Sequence, residues 1–195
     1  MTPAPAIIVL AAGAGSRFAS EARKLRQPWS DVSVLGATLR RAVETRLPVV
    51  AVTVAALLPQ VAPFLARRDI VVLDDPLAAR GVGRAIAAGV GERPDAPGWV
   101  VLPGDLAAVQ PRTLRTLAAA VHDHPVVVAQ YRGRRGPVAA FSGELYSELI
   151  VLDGDDGARR LVSRYPIHGE EVDDPGVLAD ADADAGDAAG LAAAG

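Results

Sequence analysis

Short apolar runs alternate with stretches of helical period along the first two thirds of the chain. Ala6–Ala12 is continuously apolar and reads as a buried strand, followed by a loop over 13–31. Val34, Leu35, Leu39, Ala42 and Val43 recur at helical spacing and predict a helix over 32–45. A second strand follows at 47–54, then a helix over 57–68 with Pro59 near its start, where a missing N–H is tolerated. The third strand, 70–73, runs into Asp74-Asp75-Pro76, and Gly81-Val82-Gly83 precedes an alanine-rich helix ending near 91. The fourth strand, 99–102, ends in Pro103-Gly104-Asp105; Pro111 opens a helix through His122, and 126–131 is the fifth strand.

Strands regularly separated by helices predict parallel pairing, and continuous rather than alternating apolar runs suit strands covered on both faces. The expected fold class is α/β, a three-layer sandwich with a mostly parallel sheet. After Tyr131 the pattern changes. Arg132-Gly133-Arg134-Arg135-Gly136-Pro137 is a basic loop, 138–141 reads as an antiparallel strand, and short helices follow over 144–151 and 156–163. From Leu178 the chain is mostly Ala, Asp and Gly, and 183–195 reads as a low-complexity tail with little to bury. Without an internal repeat or a linker, residues 1–195 are expected to form a single domain.

Composition narrows the function classes. A formal charge of −3 and a pI near 5.6 argue against nucleic acid as a partner, which calls for a basic face. Cysteine is absent, which removes disulfides, thiolate nucleophiles and cysteine-built metal centres. The start, Met1-Thr2-Pro3-Ala4-Pro5, lacks a basic region, and 6–12 is too short to cross a bilayer, so no membrane partner and a cytoplasmic location are expected.

The candidate chemistry starts where the first strand ends, at Leu10-Ala11-Ala12-Gly13-Ala14-Gly15-Ser16-Arg17-Phe18, with Lys24 after it. Glycines allow close backbone approach, and exposed N–H groups beside Arg17 and Lys24 make an anion site. A P-loop requires Gly-x-x-x-x-Gly-Lys-Ser/Thr, which does not occur. A dinucleotide site requires a third glycine where Phe18 stands, and a carboxylate after the second strand, where Ala55-Ala56-Leu57 follows.

The remaining pattern resembles the entry motif of the MobA-like NTP transferases, particularly molybdenum cofactor cytidylyltransferases. The resemblance extends along the chain. Gly81-Val82-Gly83-Arg84-Ala85-Ile86 is similar to a Gly-Met-Gly-Ser-Ser-Leu segment, and Leu102-Pro103-Gly104-Asp105-Leu106 to a Leu-Gly-Asp-Met-Pro metal motif. Arg134–Phe141 resembles Arg-Arg-Gly-His-Pro-Val-x-Phe, while 153–161 and Asp174-Pro175-Gly176 to Asp182 resemble the family's closing segments. Departures are Leu106-Ala107 for Met-Pro, Arg84-Ala85 for Ser-Ser, and the histidine missing between Gly136 and Pro137.

The resemblance implies a Rossmann-like sheet of the nucleotide-diphospho-sugar transferase type. It implies Mg²⁺-dependent transfer of a nucleotidyl group from an NTP to a phosphate-bearing acceptor, releasing pyrophosphate. Ala12, where GTP-using relatives tend to carry glycine, implies CTP with molybdopterin as acceptor and a molybdoenzyme as eventual recipient. The implied nucleotide-binding set is Leu10, Ala11, Ala12, Gly13, Gly15, Ser16, Arg17, Lys24, Gly81 and Gly83. Arg17, Lys24 and Asp105 would be catalytic, and Asp105 with Asp182 (or Asp180) would hold the metal. Alternatives are another NTP or acceptor on the same fold, a non-catalytic cofactor-delivery protein, or an oxidoreductase of the nicotine-blue type.

Each residue also has a plainer reading. Asp105 could be an ordinary turn aspartate, Asp180 and Asp182 part of a solvated acidic tail, and Lys24 part of a charged face with Arg23 and Arg26. Gly81 and Gly83 could serve turn geometry alone. Arg132–Arg135 is a candidate for the acceptor's anionic groups or simply a soluble turn. His122, His124 and His168 read as structural, and no Gly-x-Ser-x-Gly elbow supports a serine hydrolase.

Overall fold

The computed structural model describes residues 3–12 and 18–179. The strands are β1 (Ala6–Ala11), β2 (Pro28–Trp29), β3 (Val32–Ser33), β4 (Val49–Val54), β5 (Ile70–Leu73), β6 (Gly98–Pro103), β7 (Val126–Tyr131), β8 (Arg134–Ser142) and β9 (Ile167–Glu171). The helices are α1 (Phe18–Leu25), α2 (Val34–Glu44), α3 (Leu58–Val61), α4 (Asp75–Ala78), α5 (Val82–Gly91), α6 (Pro111–Ala120), α7 (Tyr146–Leu149) and α8 (Gly157–Val162). Among the described residues seven strands form one sheet in the order β5-β4-β1-β6-β8-β7-β9, and β2 pairs with β3 as a separate hairpin. Every pairing that involves β8 is antiparallel and the rest of the sheet is parallel. The fold is therefore the expected three-layer α/β sandwich with a mostly parallel sheet.

Strand periodicity assigns the helices to faces. Gly98 leaves room for Val121 at the end of α6, whose Cγ2 would lie 2.6 Å from an added Cβ. Trp99, the next residue along β6, instead faces Tyr146 of α7 with ring centroids 5.9 Å apart. Successive strand residues point to opposite faces, so α6 and α7 lie on opposite sides. Helix α2 packs with α6, while α5 packs with α7 and α8, completing the outer layers. The central strands β1 and β4 are buried nearly throughout, as their apolar runs, broken in β4 by buried Thr53, require.

Four local expectations change. The expected loop over 13–31 contains α1 and β2, while β3, the partner of β2, takes the first two residues of the helix expected over 32–45, which begins at Val34. Among the described side chains of α1, Ala22 and Leu25 are the buried hydrophobics, and Glu21 early and Arg23 and Lys24 late suit the helix dipole. The expected helix over 57–68 stops at Val61, because Pro63 lacks an N–H and its ring opposes a continuing helix. The strand expected at 138–141 extends to Arg134–Ser142 and inserts between β6 and β7, so the fourth and fifth strands are not neighbours. Its hairpin with β7 turns on Arg132 (φ 50°) and Gly133 (φ 74°), the left-handed pair that a tight hairpin favours. Strand β9, Ile-His-Gly-Glu-Glu, was not anticipated: it is a polar edge strand with almost no apolar pattern.

Gly89 of α5 sits where an added Cβ would lie 2.3 Å from Ile8 Cγ2 and 3.0 Å from Val52 Cγ2. Alanine improves helix propensity by about 1 kcal/mol, whereas overpacking a core costs roughly 1–3 kcal/mol. Ile8 and Val52 are β-branched and fully buried, so neither swings aside. Gly89→Ala is expected to lose about 1–2 kcal/mol net, read from the urea midpoint at unchanged m-value.

Candidate active site

Parallel pairing of β1 with β4 and β6 brings their carboxyl ends to one edge of the sheet. Asp105 follows the end of β6, and Lys24 lies in the last turn of α1. Lys24 Nζ is 3.0 Å from Asp105 Oδ2, joining side chains 81 residues apart, with 10% and 25% of their surfaces exposed. An ammonium so far removed from water requires a charge partner, and the pair is correspondingly less screened by salt than a surface bridge.

Both ends of this contact are held. Gly104 donates its N–H to the Leu10 carbonyl at 2.8 Å, tying the site loop directly to the end of β1. A Cβ on Gly104 would lie 2.7 Å from that same carbonyl oxygen, so only glycine permits the approach. The Gly104 carbonyl accepts from buried Thr38 Oγ1 at 2.9 Å; the hydroxyl also lies 3.1 Å from the Val34 carbonyl, sharing one proton between two acceptors. On the other side, Gln27 N–H donates to the Lys24 carbonyl at 3.0 Å and Val34 N–H to the Gln27 carbonyl at 2.9 Å, strapping α1 to α2. Arg26 Nη2 donates to the Ala56 carbonyl at 2.6 Å beyond the end of β4. Arg40 forks onto Asp31 at 3.0 and 2.8 Å, bracing the hairpin, and its guanidinium holds that carboxyl below the usual carboxylate range.

The other predicted residues fall in distinct places. Leu10, Ala11 and Ala12 form the end of β1 and its exit, with Ala11 and Ala12 buried. Gly13, Gly15, Ser16, Arg17, Asp180 and Asp182 lie outside the described residues. Gly81 (φ 96°) and Gly83 open α5 beneath the segment 153–155. There Gly83 N–H donates to the Gly154 carbonyl at 3.0 Å and Val82 N–H to Asp155 Oδ1 at 3.2 Å, so these amides already serve a protein loop. Arg80 clamps the same segment through Asp153 at 3.0 and 2.7 Å and holds that carboxyl below the ordinary range. The contribution of this ion pair is present above the ordinary carboxylate pKa and is lost as pH falls through the lowered one. Arg132, Gly133, Arg134 and Arg135 are exposed at the β7–β8 turn, where Glu171 accepts from the amides of Arg132 and Gly133 and from Gln130. His124 and His168 stack at 3.8 Å, and His168 pairs with Glu170 at 2.9 Å.

Sequence reading missed Thr38 as a support of the site. Its only signal was a lone hydroxyl on the apolar face of α2. Among the described residues no group of three or more His, Asp or Glu side chains able to hold a metal occurs. Asp105 by itself is a partly exposed hard oxygen donor, the ligand type a Mg²⁺ ion accepts alongside water and phosphate.

The sequence model of the MobA-like NTP transferase domain matches residues 7–172. The chain belongs to this family. No curated protein matches it. Among solved structures, Rv0371c from Mycobacterium tuberculosis H37Rv is 29% identical, with a TM-score of 0.73 over 88% of this chain and 89% of its own. The same protein in complex with manganese gives 28% identity and a TM-score of 0.69 over 87% and 88%. A nucleotidyl transferase from Methanothermobacter thermautotroptrophicus is 25% identical, with a TM-score of 0.68 over 91% of both chains. Family and fold are those of nucleotidyltransferases. No helix among the described residues is long and apolar enough to cross a membrane.

Thr38→Val keeps the shape of the side chain and removes its donor to the Gly104 carbonyl. Leaving that buried acceptor unpaired is expected to cost about 1–3 kcal/mol in urea denaturation. The amide resonances of Gly104 and Asp105 should shift with it.

Proposed function

We propose that this protein transfers a nucleotidyl group from an NTP to a phosphate-bearing acceptor and releases pyrophosphate. The finer reading is CTP as donor, molybdopterin as acceptor, Mg²⁺ as the ion and a molybdoenzyme as recipient of the product. The observation that carries the reading is the Lys24–Asp105 pair at the carboxyl edge of the parallel sheet. Ligands of open α/β sheets bind at that edge. The manganese bound by the similar Rv0371c supports a divalent ion here, and Ala12 supports CTP.

In this reading an acceptor phosphate oxygen attacks the α-phosphorus as the bond to the β-phosphate's bridging oxygen breaks. Phosphate is nucleophilic at neutral pH, so no side chain has to remove a proton. The protein contributes position and charge. Lys24 offers an ammonium to the phosphates at the site where it now meets Asp105, with Arg17 as a second cation and the amides of Gly13, Gly15 and Ser16 as neutral donors. Asp105 and Asp182, or Asp180 in its place, would hold the divalent ion, which when bound neutralises charge on the α-phosphate and leaving pyrophosphate. Gly81 and Gly83 contribute to nucleotide binding by shaping the turn into α5. An acceptor's anionic groups have Arg134 and Arg135 available on the β8 side of the edge.

Asp105→Asn isolates charge better than alanine, because the amide oxygen still meets the nearly buried Lys24. Turnover is expected to fall about 100-fold or more, and because Lys24 loses its opposing charge the melting temperature should fall as well, so turnover is compared at a temperature where both proteins are folded. An active, normally folded variant would remove the metal role from Asp105. For the wild-type protein, CTP at ~100 times its dissociation constant should stabilise by roughly 2.7 kcal/mol, in a Mg²⁺- or Mn²⁺-dependent manner. A response to GTP alone would reassign the donor. A response only to NADPH would sink the transferase reading in favour of the oxidoreductase, and binding without pyrophosphate release in the presence of molybdopterin would favour a delivery protein.

A further inference from the structure

Among the described residues Lys24 and Asp174 are the two buried charged side chains. Lys24 meets a carboxylate, whereas Asp174, 1% exposed, meets neutral donors. Its Oδ2 accepts from the Gln110 N–H at 2.8 Å and the Thr113 hydroxyl at 2.7 Å, and its Oδ1 from the Gly176 N–H at 3.0 Å. Gln110 is the N-cap residue of α6 but makes no side-chain cap, and Pro111 behind it has no N–H. Asp174 therefore caps α6 from 61 residues away, its charge favoured by the positive end of the helix.

That cap joins two segments, the first of which leads out of the site. One is the run 106–110, which leads from Asp105 into α6 and makes its own turn through Val109 N–H to the Leu106 carbonyl at 3.3 Å. The other is the 3-10 turn Pro175–Val177, the last element described before the Asp-rich segment. The two are pressed together. A Cβ on Gly176 would lie 2.4 Å from the Ala108 carbonyl oxygen, and one on Gly136 of β8 would lie 2.1 Å from that of Val177. Arg112 Nη2 adds a bond to the Asp173 carbonyl at 2.7 Å. Asp105 thus has Gly104 pinned on one side by Leu10 and Thr38, and Gln110 pinned on the other by Asp174.

We propose that Asp174 is a positioning residue for the metal–triphosphate site. It fixes the loop that follows Asp105 by holding Gln110 and Thr113 at the start of α6, so that the Asp105 carboxylate keeps its place for the divalent ion. The proposal rests on the nucleotidyltransferase reading above. A carboxylate is required because it accepts on both oxygens. The amide introduced by Asp174→Asn would turn an N–H toward either Gly176 or the Gln110–Thr113 pair.

The test compares wild type, Asp174→Asn and the milder Thr113→Val, which removes one of the three donors and keeps the carboxylate. Hydrogen exchange without ligand is expected to speed up about 10-fold at amides 104–114 in Asp174→Asn, leaving β1 and α5 unchanged. The Mn²⁺ concentration that half-saturates the metal-dependent part of CTP binding should rise about 10-fold, with metal-free CTP affinity within about 2-fold. Thr113→Val should shift both in the same direction by less, which keeps the test decisive should Asp174→Asn fail to fold. A lower melting temperature with unchanged metal half-saturation in either folded variant would make Asp174 merely structural and overturn the proposal. Wild type without any metal-dependent nucleotide binding would overturn the transferase reading and the positioning role with it.

Discussion

A lysine ammonium cannot be taken almost entirely out of water without an opposing charge, and Lys24 meets that demand at Asp105. The requirement reaches through the fold, because the two residues sit on different elements and neither is near the other in the chain. Lys24 is delivered by α1, whose end is held by the Gln27–Val34 and Arg26–Ala56 bonds. Asp105 is delivered by a glycine in contact with the Leu10 carbonyl and by a threonine hydroxyl from α2. The charged pair is thus bolted to β1, β6 and α2, whose core-facing residues are buried.

The departures from the family pattern read differently once packed. Leu106 and Ala107 stand where Met-Pro is expected, and both are buried, so the segment after Asp105 keeps an apolar anchor. Gly136, left beside Pro137 without the intervening histidine, is where the Val177 carbonyl approaches β8. Arg84, in place of serine, keeps its Nε shielded from solvent without a hydrogen-bond partner. The first two substitutions preserve the architecture around Asp105 and its following loop, whereas the third alters the chemistry at the start of α5.

Local pattern was enough for the sandwich and for the candidate carboxylate. Continuous apolar runs such as Ile7–Leu10 and Val49–Val52 demand cover on both faces, and regular alternation with helices leaves few other architectures. The strand–glycine–aspartate junction at 103–105 was legible because its residue types carry backbone and charge consequences wherever they stand. The motif likeness likewise anticipated the family. Strand β9 and helix α1 were hidden for the opposite reason: each is short, half-exposed and polar, and is held by neighbours rather than by its own period.

Tertiary structure alone decided which charges meet. Nothing in the spacing of 81 residues indicates that Lys24 faces Asp105, that Thr38 supports Gly104, or that Asp174 caps α6. Nor does it indicate that β8 separates β6 from β7, since strand order is set by which edges pair after collapse. Hydrophobic periodicity is a property of consecutive residues and survives in the one-dimensional chain. Buried polar contacts depend on distances between elements, and those exist only once the layers have packed.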